Sequence, residues 1–227
     1  MRYKFYREHK YVSAACNDLE RLVAKTDFRV RADVEKVNQE YCALVHMLKG
    51  HAYYEDTVLH ELLKKRASPV YAKIEADHHE LDAVFAHLED LLKKAIEATQ
   101  EEDQEEDQIE EDQIEAGYQF YLAYRKFVGD NLVHLHEEET IILPELHRLY
   151  SDEELSVVEF DTYKLMSTED IVGMITVLFS HMNPTDHEVF LTDIKKAQPE
   201  KFAEAWPSIQ VLLSEREREA LVKKLKI

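Results

Sequence analysis

Only four glycines and five prolines punctuate 227 residues. Sheets and tight turns draw heavily on both, because Gly supplies positive φ and Pro presets the turn dihedral. Their scarcity favours long, uninterrupted helices. Apolar residues recur with helical period over four such stretches: about Arg2 to Ala24, Ala32 to Arg66, Pro69 to Glu97, and Glu110 to Leu149. The pattern predicts an all-α fold, an up-down-up-down four-helix bundle over residues 1–150. Shorter pieces follow. "SDEE" at Ser151 and "STED" at Ser167 place a capping serine three residues before an acid, and "NPTD" at Asn183 puts Pro184 at a first helical position. Residues 151–227 therefore read as additional C-terminal helices, an extension or cap.

The balance of 28 Lys+Arg against 47 Asp+Glu gives a net charge of −19. Nucleic acids and anionic membranes need basic patches, so neither is an expected partner. Ten of the acids crowd into "EEDQEEDQIEEDQIE" from Glu101 to Glu115, which reads as a self-repelling linker or helix end. No apolar run approaches the roughly 18–20 residues of a membrane span. The N-terminus "MRYKFYREHK" lacks the apolar core of a secretion signal. The expectation is a cytoplasmic protein whose two cysteines, Cys16 and Cys42, are reduced core thiols.

Twelve histidines are many for this length, and helical phase separates them. At about 100° per residue, His51 and Glu55 share a stripe with Leu44, Met47, Val58 and Leu62. His134 and Glu138 repeat that spacing on a stripe with Phe120, Ala123, Phe127 and Ile141. His78 lies with Tyr71, Ile74, Leu81 and Phe85, with Asp82 one turn on. His9 lies with Phe5, Val12, Cys16 and Val23. So each long helix directs a histidine at the apolar face, and two add a carboxylate four residues later. Buried together, such groups carry a large desolvation cost that a metal ion would offset. Imidazole suits iron, copper, zinc or manganese, and carboxylates favour the harder of these. His60 and His87 fall about 180° from the candidate on their helix, and His136 about 160° from His134, so these read as surface or second-face residues. His46 and His147 fall about 140° off and read likewise. His79, beside His78, is ambiguous. His181 and His187 lack a carboxylate at helical spacing.

"HLHEEETIILP" from His134 resembles the H-x-x-x-E-E-x-x-[IL]-[FL]-P signature of hemerythrin-like, or HHE cation-binding, domains. "HAYYEDTVL" from His51 is similar to the earlier H-x-x-x-E element. "ADHHELDAVF" resembles the element between them and aligns His78, and "REHKYVSAACNDL" resembles the first-helix histidine. The resemblance implies a four-helix bundle holding two iron ions in a non-haem di-iron centre, oxo- or hydroxo-bridged. It assigns His9 and His51 to one iron and His78 and His134 to the other, with Glu55 and Glu138 bridging. The proteins named for the fold have a fifth histidine where this chain has Ile74. Water, an oxo bridge, Asp82, or His79 through a register shift would complete the second iron.

That departure speaks against reversible oxygen carriage. Four-histidine variants resemble the iron- and oxygen-responsive domains of some ubiquitin ligases and many bacterial proteins of unassigned role. The leading expectation is sensing of iron, oxygen or nitric oxide by a non-enzymatic domain. The alternatives are an oxidase- or peroxidase-type redox enzyme and oxygen storage or transport. The C-terminal helices would offer a surface for a protein partner or a homodimer.

Overall fold

A computed structural model describes residues 5–99 and 106–227, with the backbone alone at 75–80, 106 and 107. The side chains of His78 and His79 lie outside the described residues. All regular structure among the described residues is helical. No described helix is long and apolar enough to cross a membrane. The chain divides into two compact units, Val12–Ile142 and Met1–Tyr11 with Leu143–Ile227.

The first unit draws on α1 (His9–Ala24), α2 (Arg31–Tyr54), a π-helical turn (Glu55–Leu59), α3 (His60–Lys65), α4 (Tyr71–Ala98), α5 (Glu106–Glu137) and a second π-helical turn (Glu138–Ile142). One core gathers Val12, Cys16 and Val23 from α1, Val37, Tyr41 and Leu44 from α2, Phe85 and Leu92 from α4, and Phe120, Tyr124 and Phe127 from α5. Its aromatic centre is directional. The Tyr41 ring meets Phe120 edge-on at 5.9 Å, and Phe85 lies 5.6 Å from Phe127. The buried phenols are satisfied by backbone: Tyr41 donates to the Phe85 carbonyl at 3.2 Å and Tyr124 to that of Cys16 at 3.0 Å. Gly117 permits the closest approach, since a Cβ there would sit 2.2 Å from Cγ of Phe28.

Two sequence expectations need correction. The first helix starts at His9, because Tyr6 adopts a left-handed φ of 65° and Phe5–Glu8 is not helical. Cys42 is exposed, so of the two free thiols only Cys16 belongs to the core. Burial holds the Cys16 thiol up at about 12, and Asn131 Nδ2 lies 3.7 Å from its sulfur.

The other unit contains α6 (Leu143–Leu149), α7 (Asp152–Leu165), α8 (Thr168–Leu178), α9 (Pro184–Ala197), α10 (Pro199–Ile209) and α11 (Glu215–Leu225). Reciprocal capping boxes open α7 at Ser151, α8 at Ser167, α9 at Asn183 and α11 at Ser214. Each satisfies N–H groups that a helix start leaves over. The core here is Ile171, Ile175, Leu191, Ile194, Phe202 and Ile209 with their neighbours. His187 is buried in it. Its ring stacks on Phe179 at 4.1 Å, and its nitrogens meet Glu217 Oε1 at 3.1 Å and the Phe179 carbonyl at 3.0 Å. That contact ties α9 to α11 and gives this histidine a structural part.

Candidate metal centre

The centre is built from two chain segments of one pattern. In the first, His51 lies in the last turn of α2 and Glu55 follows one turn later, which brings His51 Nε2 to 3.3 Å from Glu55 Oε1. In the second, His134 Nε2 lies 3.3 Å from Glu138 Oε1. Each glutamate is the first residue of a π-helical turn. In the first turn the His60 N–H reaches back five residues, to the Glu55 carbonyl. The wider turn takes in one extra residue without breaking the helix.

That residue shifts the phase of everything after it. An unbroken α-helix would turn Val58, Leu62 and Ile141 inward. The structure instead buries Leu59 and Leu63 fully, leaves Val58 and Leu62 half-buried, and buries Ile142 while Ile141 is 42% exposed. The same shift corrects His60. It is not on the outer face; it is buried, with Nδ1 3.1 Å from Asp56 Oδ1. Counting about 82° per residue through the π turn puts His60 some 50° from Glu55, on the inner side. His87, His136 and His46 are exposed and His147 is half-buried.

One ligand atom from each of His51, Glu55 and Glu138 lies within 4.8 Å of the others. Glu138 is completely buried and Glu55 is 1% exposed. His9 is the first residue of α1, and the Tyr6 ring lies 4.7 Å from its own. Donors around one ion at bonds of 2.0–2.2 Å lie up to about 4.4 Å apart, so small side-chain adjustments would close this group on a cation. An imidazole and two carboxylates are donors for a divalent transition metal. His134 stands beside Glu138 with 21% of its side chain exposed and is not part of that group. Ile74 is buried, and Asp82 is exposed.

The family model of the hemerythrin HHE cation binding domain matches residues 1–146. The chain belongs to this family. No curated protein and no solved structure matches it. An HHE domain binds metal cations, and the buried His/Glu group is where this one has the donors to do so. His60 is the residue that sequence phase misplaced. The signal that could have found it is the internal repeat: "HAYYEDTVLHELL" and "HLHEEETIILPEL" align without a gap, and His60 falls where the second copy has buried Leu143.

Proposed function

We propose that this chain holds a non-haem di-iron centre and acts as a sensing or regulatory domain for iron, oxygen or nitric oxide. The observation that carries the reading is the convergence of His51 with the buried carboxylates of Glu55 and Glu138. In this reading His9 and His51 hold one ion, and His78 and His134 the other. Glu55 and Glu138, whose carboxylates come together from two helices, would serve both ions. The up-down-up-down order of a four-helix bundle would bring all six together, as in bundle-core metal sites generally. Iron would supply the positive charge that holds two buried carboxylates together and a site for a diatomic ligand. The protein's own part is to keep water away and hold the donors in place. Phe85, Phe120 and Phe127 wall the core near these helices, and the carboxylates have little exposure of their own.

Metal occupancy would then be read out as stability, because a group of buried donors is satisfied only when the ion is present. Anaerobic titration with ferrous iron, followed by circular dichroism and thermal melting, tests this. Free iron at about a hundred times Kd should add about 2.7 kcal/mol, which is about 5–10 °C in a chain of this size. Uptake should stop at two ions per chain. A melting temperature indifferent to iron would sink the sensing role.

A further inference from the structure

We propose that Thr57 and Thr140 are positioning residues for the two glutamates, each bracing the π turn from which a carboxylate reaches the metal. This rests on the metal reading above and adds to it residues that touch neither metal nor ligand. Thr57 donates its hydroxyl to the Tyr53 carbonyl at 2.6 Å, and Thr140 donates to the His136 carbonyl at 2.6 Å. Tyr53 and Thr57 lie two residues before and two after Glu55. His136 and Thr140 stand in the same relation to Glu138. Each bond therefore spans the glutamate, on the outside of the helix, and ties the last α-helical turn to the widened one.

The geometry gives the bond a purpose that burial does not. Both threonines are exposed, so water would satisfy their hydroxyls at no cost. A hydroxyl bonded to the carbonyl four residues back competes with the backbone ladder and bends a helix. That is a slight defect in a regular helix and useful where the ladder changes from four-residue to five-residue spacing. The π turn fixes the direction in which the Glu55 and Glu138 side chains leave the backbone. A turn free to shift between the two spacings would swing each carboxylate, since the two differ by about 18° per residue, about a quarter of a turn over five residues. The same brace occurs at the same offset in both segments, which otherwise differ in sequence at many positions. Thr176 makes the same kind of bond, 2.7 Å to the Val172 carbonyl, inside an ordinary α-helix. It supplies an internal control.

Thr57→Val and Thr140→Val keep shape and remove the hydroxyl. Ferrous iron is titrated anaerobically into wild type, each variant, the double variant, Thr57→Ser, Thr140→Ser and Thr176→Val, with a competing chelator and circular dichroism on each metal-free protein. Each valine variant should bind iron about 10-fold more weakly, the lower end for groups that orient a ligand from outside the coordination sphere. The double variant should lose more. The serine variants and Thr176→Val should bind as wild type, and all metal-free proteins should show wild-type helicity. Wild-type affinity in the valine variants overturns this proposal and leaves the metal reading standing. So does a loss that serine does not restore, or one that Thr176→Val shares. A wild-type chain that takes up no ferrous iron overturns both.

Discussion

The segments His51–Leu63 and His134–Leu146 are two solutions to one local problem. Both place a histidine, then a glutamate at the head of a π turn, then a threonine bonded back across it, then two buried apolar residues one turn apart. They differ where the second turn ends. Pro144 stands in one where Glu61 stands in the other, and Leu143 where the other has His60. Proline lacks an N–H and crowds the carbonyl four residues before it, which is reason enough to widen the turn ahead of Pro144. The first segment has no proline and widens at the same place. The proline is therefore sufficient but not necessary. What the two turns share is the glutamate they aim and the apolar pair they bury.

The largest effect should come from the shared glutamates. Glu55→Gln and Glu138→Gln keep volume and remove charge, and either should abolish the iron-dependent rise in melting temperature. If one variant retains it, the two segments are not equivalent and the bridging role belongs to the other alone. Deleting Val58 should come next. It removes the extra residue, returning the first segment to α-helical spacing while Leu59 and Leu63 still face the core. The metal-free protein should melt within about 5 °C of wild type, the equivalent of 1–2 kcal/mol, and bind iron far more weakly. A grossly unfolded product would mean that the π turn serves the core, not the metal.

Exchanging the position that differs should have a smaller, asymmetric effect. His60→Leu gives the first segment the residue of the second, and should change stability by about 1 kcal/mol or less, since an apolar group replaces a buried imidazole and Asp56 is half-exposed. Leu143→His puts an imidazole where a leucine packs, and should cost about 1–3 kcal/mol by chemical denaturation. The mildest effect is on thiol chemistry. Cys42 on α2 should be alkylated readily at pH 8. Cys16, held against the second segment's helix by Asn131 and raised to about 12 by burial, is thiolate at about one part in ten thousand at that pH. Mass spectrometry should find one modified thiol in the native chain and two after denaturation, with iron slowing the second.

Much of the centre was legible locally. His51, Glu55 and Glu138 are found by counting 100° per residue, because each lies on a regular helix or at the first residue after one. So is the buried Val12, Cys16 and Val23 stripe of α1. The capping boxes at Ser151, Ser167 and Asn183 could be read because they are contacts over three residues. The count failed just beyond the glutamates, at Val58, Ile141 and His60, where a period of 3.6 no longer held.

The sequence by itself determined that the chain is helical, where several of the helices start, and that His51, Glu55 and Glu138 share an inner face. These follow from backbone propensity and side-chain spacing within a few turns. Only the tertiary structure decided that both helices with a His/Glu pair widen by one residue, that His60 turns inward while Ile141 turns out, and that His187 binds Glu217 across two helices. A π turn is unfavourable locally and persists because packing on both sides fixes the phase before and after it. That balance is set by residues far apart in the chain, and a constant helical period does not record it.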